Sequence, residues 1–205
     1  MKQLLVLTGP QGSGNHLWSK IFALHPNVVG WQALLDEYWI GHDKEPFVEL
    51  WGNPSLFSKR NWEHEYYVTS ISVPYMNNGV ATIPNFFEFT NSAEAHGFVV
   101  KFAVIGRDKN IIQMQQSRVR EQVSLPKALA EFNKFTDPVF LSYELLHLYG
   151  ALYLQNISKQ LDFPIAFNDE RVKNIIADDT NRKYIKPADP HATDDLAKKA
   201  SMKWK

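Results

Sequence analysis

Between an apolar run, Leu4-Leu5-Val6-Leu7, and a helical pattern of Leu17, Trp18, Ile21, Phe22 and Leu24 stands the stretch Thr8-Gly9-Pro10-Gln11-Gly12-Ser13-Gly14-Asn15-His16. Strand, glycine-rich turn and helix, in that order, form a concavity whose backbone N–H groups and helix N-terminus favour an anion. The spacing from Gly9 to Gly14 fits the first part of the nucleotide-binding pattern G-x-x-x-x-G-K-[ST]. Asn15 then stands where a lysine is expected, and His16 where a magnesium-binding hydroxyl is expected. Such a loop suits a phosphate but lacks the parts for ordinary ATP or GTP hydrolysis. A glycine-rich turn without a ligand is the competing reading.

The flanks of the loop read as an alternation of strands and helices. Gln3–Leu7 is a short buried strand. Asn15–Leu24 is the helix after it, ended by His25-Pro26-Asn27 because the residue before a proline avoids helical backbone. Val28–Gly30 is a short second strand and Leu34–Ile40 a helix. Gly41–Asn61, with scattered Pro, Gly and Asn, is mostly loops and short helices. Val80–Ile83 is a strand closed by Pro84. Phe98–Ile105 reads as the clearest central strand, rich in β-branched and aromatic residues. It runs into Gly106-Arg107-Asp108 and a helix over Asn110–Val119. Val139–Tyr143 is a further strand, followed by a long helix from Leu145 to Leu161. Asp169–Ile176 and Thr180–Tyr184 are short helices. Strands alternating with helices imply an α/β fold: a P-loop-type, three-layer arrangement with a central, mainly parallel sheet flanked by helices. Ligands in such folds lie at the carboxyl ends of the strands. Gly9–His16 and Gly106–Asp108 both fall on that edge.

A length of 205 residues fits a single domain, 1–205, with a core large enough to fold alone. The 22 basic and 22 acidic side chains balance, which gives no general footprint for nucleic acid. Lys198, Lys199, Lys203 and Lys205 read as a solvated basic end. The chain has no cysteine, which excludes disulfide and thiolate chemistry and suits a reducing compartment. Four apolar residues before the glycine-rich turn are too short for a signal peptide. No run approaches the ~20 apolar residues of a membrane span. The expectation is therefore a soluble, cytoplasmic protein without a nucleic-acid or membrane partner.

Four segments, in order, resemble the sulfotransferases. GPQGSGNHLWSKIFALHP carries the family's Gly-x-x-x-Ser-Gly-x-x-Leu loop and the helix ending in Leu-His-Pro. ATIPNFF (Ala81–Phe87) looks like the Lys-Thr-Pro-x-Tyr-Phe strand end of the carbohydrate-modifying members. VIGRDKNIIQMQQS (Val104–Ser117) is similar to the strand, Arg-Asp and helix that hold the nucleotide's 3′-phosphate. FLSYELL (Phe140–Leu146) through NRKYI (Asn181–Ile185) follows the family's late Tyr-Glu strand and helix. The resemblance implies 3′-phosphoadenosine 5′-phosphosulfate as co-substrate, no metal, and a small-molecule or carbohydrate acceptor with a hydroxyl or amine. It places Gly12, Ser13, Gly14, Asn15 and His16 at the phosphosulfate and Arg107 at the 3′-phosphate, with Gln115 or Ser117 in the place of the family's serine.

Two customary cations are absent. Gly12 stands where the family has Lys or Arg before Ser-Gly, and Thr82 replaces the lysine of Lys-Thr-Pro. His16 is the local substitute, a titratable group that a nearby phosphate would draw toward its protonated form. It is expected to act catalytically, against the alternative of a helix-start residue bonding backbone. The alternative for Arg107 is an ion pair with an acid such as Asp108, and Arg118 and Arg120 read as solvated. For the base that takes the acceptor proton, the resemblance points to the region after the first helix, where Glu37 is the candidate beside Asp36; His42, Glu45 and His64 are alternatives. His25 reads as a helix-end residue, and Asp178-Asp179 as a solvated turn and not a metal site. Two other functions stay open: a P-loop kinase or phosphotransferase, and a non-catalytic member that binds a nucleotide or a partner.

Overall fold

The computed structural model describes residues 1–37, 40–77, 79–120 and 124–183, without the side chains of 118–120 and 183. The strands are β1 (Lys2–Pro10), β2 (Val28–Val29), β3 (Tyr66–Val73), β4 (Tyr75–Asn77), β5 (Val80–Thr82), β6 (Phe98–Gly106) and β7 (Val139–Ser142). The helices are α1 (Asn15–Ala23), α2 (Val48–Gly52), α3 (Phe86–Ala95), α4 (Lys109–Arg120), α5 (Leu125–Phe132), α6 (Tyr143–Tyr149), α7 (Ala151–Leu161) and α8 (Glu170–Ala177). β2, β3, β1, β6 and β7 lie side by side in that order, and every pairing is parallel.

Both faces of this sheet are covered, and β1 shows why by its alternation. Leu5 and Leu7 pack with Trp18, Ile21 and Phe22 of α1, Leu146 of α6, Leu154 and Ile157 of α7 and Val172 of α8. Leu4 and Val6 pack on the opposite face with Leu50 and Trp51 of α2, Phe89 of α3 and Phe132 of α5. Successive strand side chains point to opposite faces, so a strand buried on both sides reads as a continuous apolar run. The result is the expected α/β fold, a parallel sheet between two helical layers.

The register fixes the working edge. Gly9 pairs with Ser72 and Pro10 with Val73, while Gly106 lies beside Ser142. The carboxyl ends of β1, β3, β6 and β7 therefore finish together, and the loops that follow them share one side of the molecule.

Several elements differ from the sequence expectations. Tyr66–Val73, which carries no strand pattern in the sequence, is the neighbour of β1; Thr69, Ser70 and Ser72 break its apolar run although all three are buried. The central strand is β1, and β6 is second from the edge. Val80–Thr82 pairs antiparallel with Tyr75–Asn77 in a separate hairpin. The long helix expected over Leu145–Leu161 is two helices, broken where Gly150 takes φ 54°. Between Gln32 and Leu35 the chain makes only a 3₁₀ turn, and Tyr38 and Trp39 of the expected Leu34–Ile40 helix lie outside the described residues. Helix α3 follows directly on Asn85, whose side chain accepts from Glu88 N while its amide reaches the Glu88 carboxylate, a reciprocal cap. The basic C-terminal lysines, Tyr184 and Ile185 also lie outside the described residues, as do the Arg118 and Arg120 side chains.

Candidate functional site

A cleft of about 550 Å³ opens over the carboxyl edge of the sheet. On one wall are Gly12, Gly14, Asn15, His16 and Lys20; Arg107, Gln115, Tyr143 and Thr180 also border it. The first set comes from the β1–α1 loop and the helix after it. The second comes from the ends of β6 and β7, from α4 and from the turn after α8.

The loop's shape rests on its glycines. Gly12 and Gly14 have φ of 88° and 117°, the left-handed region open to glycine at little cost. A Cβ on Gly9 would run into Ser13 Oγ and, at 2.9 Å, the Ile105 carbonyl. Ser13 N donates to Pro10 O at 3.0 Å and closes the turn. The Ser13 side chain is fully buried, and Asn15 is 5% exposed. Asn15 Nδ2 donates to Ser72 Oγ at 2.9 Å, tying the loop to the end of β3. The side chains of Ser13 and Asn15 thus anchor the loop, and what they offer a ligand is main chain. Gln11 and Gln116, unremarked in the sequence, add two anchors: Gln11 Nε2 donates to Pro74 O at 2.8 Å and Gln116 Nε2 to Gln11 O at 2.7 Å.

Arg107 reaches the cleft from the end of β6. Its Nη1 donates to Gly12 O at 2.9 Å and to Gln115 Oε1 at 3.1 Å. Its Nε donates to Asn181 Oδ1 at 2.7 Å and its Nη2 to Thr180 Oγ1 at 3.2 Å, while the guanidinium lies 4.5 Å from the Tyr143 ring centroid. Asp108 accepts from the N–H groups of Asn110 and Ile111 and so caps α4. Gln115 borders the cleft and Ser117 is exposed away from its lining, because two residues along a helix turn a side chain to another face. Tyr143 and Asn181 lie in the two late segments of the resemblance, though neither carries an expected site role, and Thr180 stands just before the second; β7 and the turn after α8 bring all three into this cluster.

His16 borders the cleft, with Nε2–H donating to Ile40 O at 2.7 Å. Its ring centroid lies 4.6 Å from that of His42 and 5.0 Å from that of Trp31. Burial pushes its pKa down, the Ile40 bond opposes this, and the charge on Lys20 lowers it further. Burial thus favours the neutral imidazole, and His16 becomes a cation only when an anion beside it raises its pKa again. Glu37, the candidate base, has an exposed side chain outside the cleft lining, and its carbonyl oxygen accepts from Lys20 Nζ at 2.8 Å.

Of the alternative bases, His42 borders the cleft. Glu45 is 3% exposed and lies off the cleft, accepting from Phe47 N at 2.8 Å and Ser70 N at 3.3 Å; burial pushes its pKa to about 7. His64 donates its main-chain N–H to the Tyr67 hydroxyl away from this edge. His25 accepts from Asn27 N at the helix end, as expected. Asp179 accepts from Asn181 N in a turn, and among the described residues no group of His, Asp or Glu is gathered as a metal set. No described helix is long and apolar enough to cross a membrane.

Fold and site together define a parallel α/β protein in which a glycine-rich loop and the arginine bonded to it border one cleft. No family model and no curated protein sequence matches the chain. Among solved structures, that of mouse sulfotransferase SULT7A1 complexed with PAP is similar over 94% of this chain and 70% of that one, with 12% sequence identity and a TM-score of 0.48.

Proposed function

We propose that the cleft binds 3′-phosphoadenosine 5′-phosphosulfate and passes its sulfuryl group to a hydroxyl or amine of a small molecule or sugar. The supporting observation is the loop itself. Left-handed Gly12 and Gly14 shape the turn that borders the cleft at the start of α1, where helix N-terminal N–H groups and the helix dipole favour an anion. Arg107 stands on the same cleft, with the planar fork suited to a second phosphate. Against a kinase-type reading, Asn15 is committed to Ser72 and His16 to Ile40, so neither takes the part of the phosphate lysine or the metal hydroxyl.

The chemistry is an in-line displacement. The acceptor oxygen or nitrogen forms a bond to sulfur as the bridging S–O bond breaks. The electron pair goes to the bridging oxygen, and the 3′,5′-bisphosphate leaves. The acceptor proton passes to an imidazole of the His16–His42 pair, which borders the cleft in place of the exposed Glu37.

A second reading has its own observation. The guanidinium of Arg107 is bonded to Gly12, Gln115, Thr180 and Asn181, a staple that would serve a non-catalytic nucleotide binder equally well. Calorimetry with 3′-phosphoadenosine 5′-phosphate, AMP and ATP-Mg²⁺ tests the assignment. Preference for the bisphosphate supports it, and preference for ATP-Mg²⁺ overturns it. Release of sulfate or sulfated acceptor from the phosphosulfate separates catalysis from binding alone.

A further inference from the structure

Lys20 sits on α1 one turn beyond His16, on the same side of the helix, and borders the cleft. Helical side chains tilt toward the N-terminus, so its stem leans back toward the loop from a Cα ~6 Å further along the axis than that of His16. Its ammonium is spent on a main-chain acceptor, the Glu37 carbonyl at 2.8 Å. The ion pairs among the described residues are made by other lysines and arginines. Partial burial lowers its pKa, and its charge is felt at His16. A partly exposed ammonium with no carboxylate partner among the described residues, on the wall of a cleft beside a glycine-rich loop, leaves its charge open to an anionic ligand.

The other charged or titratable groups on the cleft do not fill this place. Arg107 holds the loop and the turn after α8; burial biases His16 toward its neutral form; His42 stands beside it; Tyr143 packs against the Arg107 guanidinium; and Asp178 is an acid. We infer, resting on the proposed function, that Lys20 is the sulfuryl-facing cation of the cleft, by which the chain tells a 5′-phosphosulfate from a bare 5′-phosphate. It stands in for the cation absent at Gly12 and approaches from the helix instead of the loop. In the displacement it meets the negative charge on the sulfuryl oxygens and on the bridging oxygen as the S–O bond breaks.

The test compares 3′-phosphoadenosine 5′-phosphosulfate with 3′-phosphoadenosine 5′-phosphate by calorimetry at pH 7, on the full chain and on Lys20→Met and Lys20→Arg. The wild type should hold the phosphosulfate about tenfold more tightly, the worth of one charge-assisted contact at a partly exposed site. Lys20→Met should erase that preference while its bisphosphate affinity stays within about threefold, and Lys20→Arg should keep the preference. Thermal unfolding without ligand verifies that each variant is folded. A histidine-detected NMR titration supplies a second readout, since removing the Lys20 charge should raise the His16 pKa. An unchanged preference in Lys20→Met, or equal losses for both nucleotides, overturns the inference. A wild type that binds both nucleotides equally overturns it as well and leaves the proposed nucleotide site standing. A wild type that binds neither removes the proposed function itself.

Discussion

Arg107 donates to the carbonyl oxygen of Gly12 at 2.9 Å, from the end of β6 onto the loop at the end of β1. The two positions are neighbours only because β1 and β6 pair in parallel register. Through this bond the arginine that faces the cleft also sets the shape of the loop beside it. The cleft wall and the loop geometry therefore share one side chain.

Arg107→Ala should lower the melting temperature by about 4–8 °C, the effect of losing roughly 2 kcal/mol in a chain of this size. It should weaken 3′-phosphoadenosine 5′-phosphate by about 2–3 kcal/mol and AMP by about 1 kcal/mol or less, since only the former offers a 3′-phosphate. Calorimetry with both ligands decides. Equal losses would show that Arg107 acts on the loop alone.

Gly14→Ala should fold and yet lose the rise in melting temperature that the nucleotide produces. A Cβ there finds ordinary contact distances, 3.5 Å to Tyr143 and 3.9 Å to Trp18, so crowding is minor. The φ of 117° is the obstacle, costing about 1–3 kcal/mol for a residue with a Cβ and releasing the loop from its N–H-presenting form. An undiminished thermal shift would sink the loop assignment.

Putting the customary cation back as Gly12→Lys should not restore or raise turnover. Position 12 has φ 88°, and a Cβ would come within 3.0 Å of the Gln115 amide that Arg107 holds. The variant should be less stable than the wild type by about 1–3 kcal/mol in urea unfolding. A stable variant with faster sulfuryl transfer would show that the loop tolerates a side chain there.

Glu45 should make stability fall as pH rises. Its pKa goes from 4.5 to about 7 on folding, through burial, so the folded chain holds a proton that the unfolded chain releases. The contribution is full below pH 4.5, declines as pH rises through 7 and amounts to roughly 3 kcal/mol in all. Urea unfolding between pH 4 and 9 measures it. Glu45→Gln should remove most of this slope, and an equal slope in both proteins would assign the titration elsewhere.

His16 should give the opposite slope at lower pH. Burial lowers its pKa below 6.5 in the folded chain, so its contribution is present above pH 6.5 and is lost as pH falls through the lowered value. A bound phosphate raises that pKa, so nucleotide binding should take up a proton and tighten as pH falls below about 6.5. Calorimetry in buffers of different ionisation enthalpy reads the proton directly. Proton uptake that persists in His16→Asn would exclude His16 as its source.

Local sequence was enough to mark the loop, the helix after it and the arginine at the end of Phe98–Ile105. Each is governed by neighbours in the chain: glycine at positive φ, a helix N-terminus, a strand of β-branched and aromatic residues. Periodicity also made the fold class legible, since a sheet buried on both faces needs continuous apolar strands separated by helices. Tyr66–Val73 is not legible because Thr69, Ser70 and Ser72 look like solvated residues; only the fold buries them beside β1, with Trp51 on the Thr69 hydroxyl, Asn15 on the Ser72 hydroxyl and the Glu45 carboxyl on the Ser70 N–H.

Tertiary structure alone decided which of the marked residues share the cleft and what they do there. Lys20 carries no signal of its own in the sequence; packing brings the Glu37 carbonyl to it and leaves its charge on the cleft wall. His16 reads as a titratable cation; burial and Lys20 shift it toward its neutral form. Arg107 reads as a phosphate ligand; Gly12, Gln115, Thr180 and Asn181, from three separate segments, make it a loop staple as well. Backbone conformation is set over a few residues, whereas burial and charge at a site are sums over groups far apart in the chain. The first was therefore written locally, and the second came into being only when the strands met in register.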